Sequence, residues 1–265
     1  MSNCFENAKK IVIKVGSSTL THDTGLVNIR RMESLVKVLA DLANSGREII
    51  LVTSGAQAVG VGKLGLPGKP KDTPSRQAVA AVGQCELMYL YDNLFSEYNR
   101  TVAQVLLTKD IINDEHPKQN VTNTFDRLLA MKVIPIVNEN DTVSYEEIEI
   151  GDNDTLSAIV AQIIGADLLI ILSDIEGLYS DNPRVNPEAK LVPVVERIDD
   201  SIRSMACGVG SNRGTGGMIT KIHAAEIATQ NGVDMAIVCG ENPKILYDLL
   251  EGKPHGTHFM AQPRS

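Results

Sequence analysis

Positive charge is the first thing this chain is short of. Its 25 Lys and Arg face 33 Asp and Glu, for a net charge of −8. The global basic footprint of a nucleic-acid binder is therefore missing, and no nucleic-acid partner is expected. No apolar run approaches the roughly 20 residues that cross a bilayer, so no membrane association is expected either. The opening stretch, MSNCFENAKK, lacks the apolar core of a signal peptide. Cysteine is sparse: Cys4, Cys85, Cys207 and Cys239 are too widely separated for a metal or redox spacing. They read as small apolar fillers in a reducing, cytoplasmic setting. Internal repeats, low-complexity tracts and a convincing interdomain linker are also lacking.

What is present is an ordinary globular composition, 43% hydrophobic and 22% charged over 265 residues. That length suffices for one large or two small domains with a sizeable core. Apolar strand-like runs alternate with helical spacing. Ile11–Val15 reads as a buried strand interrupted by Lys14, and Met32, Leu35, Val36, Leu39, Leu42 and Ala43 recur as on one helix face, stopped by Gly46. Residues 48–53 form the next strand, and 63–74, rich in Gly, Pro and Lys, a loop. A long helix is expected over 75–98, strands over 102–107 and 133–137, and a helix over 120–131. A helix ends at Gly165, and the continuous run Asp167–Leu172 predicts a strand covered on both faces. Residues 191–195 read as a short strand, 201–207 as a helical turn, 233–239 as a last strand and 243–250 as a last helix. The alternation implies an α/β fold, an open, mostly parallel sheet with helices on both faces. It forms one domain of two lobes, about 1–165 and 166–265.

Three loops repeat one design, small residues between an apolar strand and a helix: Gly16-Ser17-Ser18, Ser54-Gly55-Ala56 and Thr215-Gly216-Gly217. Such loops are simple turns, or they let backbone N–H groups and a helix N-terminus approach an oxyanion. None of the three is a GxxxxGK(S/T) or GxGxxG fingerprint. Lys14 interrupts an apolar strand, where a charge is costly unless paired. It either snorkels to solvent or sets its ammonium over the carboxyl end of the sheet. Lys221 lies one turn into the helix that Gly216-Gly217 opens. The segment 138–158 crowds Asn138, Asp141, Asp152, Asn153 and Asp154 between a strand and a helix. This is either a capped polar turn or a pocket at the end of the strands. Two lysines, backbone donors and a carboxylate to orient them suit phosphoryl transfer, in which positioning and charge neutralisation carry the reaction.

These residues, in this order, resemble the amino acid kinase superfamily. The resemblance rests on Lys14-Val15-Gly16-Ser17-Ser18, Thr53-Ser54-Gly55-Ala56, Asn138-Glu139-Asn140-Asp141, Gly151-Asp152-Asn153-Asp154, Leu172-Ser173-Asp174 and Gly214-Thr215-Gly216-Gly217-Met218 with Lys221. It runs from about residue 10 to 260. It implies a three-layer fold and magnesium-dependent transfer from ATP. The acceptor of the most similar branch is the side-chain carboxylate of L-glutamate, at the start of proline synthesis. Carried over, Lys14 and Lys221 would hold the ATP phosphates, with Asp154 orienting both. Gly16, Ser17 and Gly55 would lend backbone donors. Ser54, Asn138, Asp141, Asp152 and Asn153 would grip glutamate. Ser173, Asp174 and the run Thr215, Gly216, Gly217, Met218, Ile219, Thr220 and Lys221 would meet the nucleotide. No protein metal site is implied, the magnesium being held mainly by ATP phosphates. The resemblance also implies a dimer or tetramer and feedback inhibition by L-proline. Relatives have Thr-Asp where this chain has Ser173-Asp174, a change that keeps a hydroxyl. Many also carry a C-terminal PUA domain, which a chain stopping at Ser265 is expected to lack.

No strong base is needed, because a carboxylate acceptor is ionised near neutral pH. His22, His116, His223, His255 and His258 accordingly read as structural or exposed. Acidic and amide-rich loops disfavour a nucleotide or phosphate acceptor. N-acetylglutamate has no free ammonium for Asp141 and Asp152 to pair. A non-catalytic amino-acid sensor would have no need of Lys14, Asp154 and Lys221.

Overall fold

The computed structural model describes residues 4–22, 24–108, 115–143, 153–183, 185–207 and 217–263, with only the backbone of Glu115 and Cys207. In chain order the elements are α1 (Cys4–Asn7), β1 (Lys10–Val15), α2 (Ser17–Leu20), α3 (Ile29–Asn44), β2 (Glu48–Thr53), α4 (Ala56–Lys63), α5 (Thr73–Ser96), β3 (Val102–Leu107), α6 (Glu115–Ala130), β4 (Ile134–Glu139), α7 (Asn153–Ile163), β5 (Leu168–Ser173), β6 (Val194–Val195), α8 (Asp200–Cys207), α9 (Met218–Gln230), β7 (Asp234–Cys239), α10 (Ile245–Leu250) and β8 (Thr257–Phe259). Their contacts gather into two compact units, Val15–Gly151 and Met1–Lys14 with Asp152–Ser265.

In the 15–151 unit, β4 lies between β3 and β2 and runs parallel to both, with Leu106 opposite Asn138 and Leu51 opposite Ile136. Two glycines let α4 and α5 meet backbone to backbone. A Cβ on Gly60 would lie 2.0 Å from the Val79 carbonyl oxygen, and one on Gly83 would lie 1.7 Å from that of Ala56. No side chain fits in either place. Helix α5 begins two residues before the expected start, inside the stretch read as loop. Asp72 accepts from the Ser75 N–H at 2.9 Å and Pro74 sits in the first turn. A proline there has no hydrogen bond to lose, so it starts the helix and does not break it.

In the other unit, β5 lies beside β1 and pairs parallel with β7, Leu168 opposite Asp234 through Ser173 opposite Cys239. Strand β8 is antiparallel to β7 and parallel to β6. The Asp167 carboxylate accepts from both Lys9 N and Lys10 N at 2.8 Å, which sets β1 in register beside β5. Every residue of β5 is buried, as its continuous apolar run predicts. The α/β architecture with mostly parallel pairing follows from the alternation in the sequence.

Local expectations change at several points. Only Val194–Val195 of 191–195 is a strand, Leu191 making an isolated bridge to Tyr179. Helix α6 starts at Glu115, five residues early, because His116 to Gln119 carry no apolar signal. Strand β8 has a bare three-residue pattern and is legible only through its partners. Cys85 is exposed, so it is no core filler. Among the described residues no helix is long and apolar enough to cross a membrane.

Candidate active site

The unit of residues 1–14 and 152–265 places three charges together. Lys14 comes near the carboxyl end of β1, Asp154 is the second residue of α7, and Lys221 lies in the first turn of α9. Lys14 Nζ stands 2.6 Å from Asp154 Oδ1, and Lys221 Nζ stands 3.0 Å from Oδ2. The Thr220 hydroxyl is 3.0 Å from the same Oδ2 and 2.8 Å from the Gly217 carbonyl oxygen, so its single proton is shared between two acceptors. Asp154 is fully buried, with Lys14 and Lys221 at 8% and 6% exposure. The snorkelling alternative for Lys14 is therefore excluded, and the side chain of Asp154 is engaged by lysines and not by a helix cap.

Burial pushes the Asp154 carboxyl up, but the ammoniums of Lys14 and Lys221 outweigh that and hold it at about 2. A depressed carboxyl stabilises the fold above its unfolded value, near 3.8, and the gain is lost as pH falls towards 2. The shift is worth about 2 kcal/mol. These three groups together hold one positive charge in excess, out of water, which is an environment for an anion. In the same unit Ser173 ends β5, its carbonyl accepts from Gly240 N at 2.8 Å, and its hydroxyl lies 3.3 Å from Asp174 Oδ1. Gly217 caps α9, Met218 is buried and Ile219 is 58% exposed. Asn153 begins α7 beside Asp154. Asp152, Thr215 and Gly216 lie outside the described residues.

The 15–151 unit carries a different set. Gly16 and Gly55 cap α2 and α4, and Gly55 holds φ +103, a left-handed conformation that favours glycine. A Cβ there would come 3.5 Å from Ser17 Cβ, so the two small-residue turns touch. Ser54 precedes Gly55, after Thr53, whose buried hydroxyl bonds the Tyr91 hydroxyl at 2.9 Å. Asn138, near the end of β4, is 2% exposed, and its Nδ2 donates to Gln84 Oε1 at 2.8 Å. Asp141 follows in a turn. Burial raises its carboxyl to about 6, Glu139 adds to the rise, and Arg76 partly offsets it.

Two residues in these environments escaped sequence reasoning. Thr53 belongs to the Thr53-Ser54-Gly55-Ala56 turn but carries no local sign of a role, and Gln84 lies inside a long helix with no local mark. Its two signals, burial and an amide partner 54 positions away, are both tertiary. The histidines are structural or exposed, as expected. His258 is buried and lies 2.6 Å from Asp234 Oδ1, while His223 and His255 are exposed. Among the described residues the one group with metal-ligating donors close together is Cys4, Asp234 and His258. It lies at the amino end of β7, whereas Ser173 pairs with Cys239 at the carboxyl end, about 16 Å along the strand.

The model of the Amino acid kinase family matches residues 9–239. Curated relatives include a glutamate 5-kinase of Clostridium perfringens, 53% identical over 99% of each chain. Another, of Enterococcus faecalis, is 51% identical over 98% of this chain and 97% of its own. Among solved structures, the UMP kinase of Bacillus anthracis superposes with a TM-score of 0.66 at 14% identity, covering 96% of both chains. The isopentenyl phosphate kinase of T. acidophilum superposes with 0.63 at 17% identity, covering 95% of this chain and 100% of its own. At such identities the superpositions speak for the fold alone. By its family match and its relatives at about half identity, the chain belongs to the amino acid kinase family, among the glutamate 5-kinases.

Proposed function

We propose that the chain transfers the γ-phosphoryl group of ATP to the side-chain carboxylate of L-glutamate, forming L-glutamyl 5-phosphate and ADP. The observation that carries this reading is the buried Lys14–Asp154–Lys221 cluster, with ion-pair distances of 2.6 and 3.0 Å. A carboxylate oxygen of the acceptor attacks the γ-phosphorus, and the bond to the β–γ bridging oxygen breaks, leaving ADP. Lys14 and Lys221 neutralise charge on the transferring group, which is worth most where water is excluded. Asp154 keeps the two ammoniums in place. Backbone donors at Gly16, Ser17 and Gly55 orient oxygens, and Ser173, Asp174 and the start of α9 receive the nucleotide. Asp154 is committed to two ammoniums, so magnesium would travel on the ATP phosphates, where it neutralises charge.

Acceptor choice rests on Ser54, Asn138 and Asp141 of the 15–151 unit, together with Asp152 and Asn153, with Asp141 pairing the α-ammonium. Phosphoryl handling belongs to the other unit. We further infer a cytoplasmic homo-oligomer that L-proline inhibits. The test is ADP release with glutamate, N-acetylglutamate, aspartate and uridylate. Turnover with glutamate is expected. Turnover with N-acetylglutamate and none with glutamate would reassign the acceptor, and silence with all four would point to an amino-acid sensor on the same fold.

A further inference from the structure

The Asn138–Gln84 amide pair of the 15–151 unit has a property that stability alone does not explain. Gln84 is nine-tenths buried in α5, and its Oε1 accepts from Asn138 Nδ2 at 2.8 Å. Its own Nε2 is buried and has no hydrogen-bond partner. Folded proteins pair nearly all such groups, and a half-satisfied buried polar pair is worse than an apolar one of the same shape. The pair also stands beside the acceptor turn, because the preceding residue, Gly83, is pressed against the carbonyl of Ala56, two residues after Ser54.

A primary amide has two chemically opposite ends, one that accepts and one that donates. With Nδ2 taken by Gln84, Asn138 is fixed in one of its two amide orientations, and its oxygen lies on the other branch of the amide. An amide oxygen can accept from an ammonium; an amide NH2 in its place would repel one. We propose that Gln84 is a positioning residue for acceptor selection. It locks the Asn138 amide in the orientation that favours an α-amino acid with a free ammonium, while Asp141 supplies the charge. This rests on the assignment of Asn138 to the acceptor. The unpaired Nε2 is the structural cost of holding the neighbour, since the Gln84 amide must turn its oxygen towards Asn138.

The test is a double-mutant cycle of Gln84→Met, Asn138→Ala and their combination, read as KM for glutamate, KM for ATP, kcat and melting temperature. Gln84→Met is expected to raise the glutamate KM about tenfold, the worth of one hydrogen bond. ATP KM and kcat should stay within about twofold on that scale. The double variant should be no worse than Asn138→Ala alone, because Gln84 acts only through Asn138. If Gln84→Met does not fold, Gln84→Glu keeps an oxygen facing Asn138, and its glutamate KM should stay within about threefold of the parent. A tenfold rise in that variant would overturn the proposal. Parallel loss of melting temperature, ATP KM and glutamate KM in Gln84→Met would make Gln84 merely structural. A double variant showing the product of both losses would mean that Gln84 acts without Asn138. If Asn138→Ala leaves the glutamate KM unmoved while Gln84→Met raises it, positioning fails but the acceptor assignment of the unit stands. If neither moves it, the acceptor assignment itself is wrong.

Discussion

Each unit of the molecule carries one telling acid, and the two are tuned in opposite directions. Asp154 is fully buried, yet held at about 2 by two ammoniums. Asp141 is less deeply placed, yet pushed up to about 6 by burial and by Glu139, with Arg76 giving only partial relief. Depth therefore does not decide the sign; the partner does. A carboxylate closed by two cations is finished electrostatically and stabilises the fold. One left short of positive charge costs stability when ionised, and a cation from outside would remove that cost. The first pattern suits a permanent part of a transfer apparatus, and the second suits a place where an ammonium arrives.

The strongest way to break the comparison is to unpair Asp154. Asp154→Asn should lower kcat about a thousandfold, and should cost about 3–5 kcal/mol in denaturant unfolding, because two lysines are left buried without their anion. Lys221→Ala should also cut kcat by about a hundredfold or more with little change in the glutamate KM. A rise in KM with unchanged kcat would show that the transfer and acceptor roles have been assigned to the wrong units.

Next in size is a change to the frame of the acceptor unit. Gly83→Ala puts a methyl group 1.7 Å from the Ala56 carbonyl oxygen, which forces α5 away from α4. A loss of about 3 kcal/mol is expected, with a raised glutamate KM in whatever folded enzyme remains. A melting temperature equal to the parent's would refute the close helix contact.

Smaller effects sharpen the contrast at Asp141. Since its folded value, about 6, lies above its unfolded value of 3.8, ionisation opposes folding, and stability falls as pH rises between the two. Asp141→Asn should then stabilise the free protein at neutral pH by about 3 kcal/mol, whereas Asp154→Asn destabilises it. Asp141→Ala should raise the glutamate KM about tenfold with kcat nearly unchanged. In the parent enzyme that KM should climb as pH drops below about 6, as the carboxylate takes its proton. A flat KM from pH 5 to 8 would remove Asp141 from ammonium binding.

Much of this was legible in one dimension. Lys14 announced itself as a charge inside an apolar strand, the Gly-Asp-Asn-Asp run as a helix start with more acid than a cap requires, and the run into β5 as a strand hidden on both faces. The signal was local in each case, because hydrophobic periodicity and turn chemistry act over a few residues. Boundaries shifted where a residue had two local meanings, as with Pro74, which starts a helix as readily as it ends one. Gln84 and β8 were illegible because their meaning lies in partners far along the chain.

The amino-acid sequence by itself determined the alternation of strands and helices, the small-residue turns and the inventory of charged groups, since these depend on near neighbours and on solvent. Tertiary structure alone decided which charges meet. It set Lys14 and Lys221, 207 positions apart in numbering, on the two oxygens of one buried carboxylate. It left Asp141, among the described residues, with Arg76 as only a partial counterweight, and joined Gln84 to Asn138. Coulomb energy and hydrogen bonding depend on distance and dielectric, and neither is written in the order of residues.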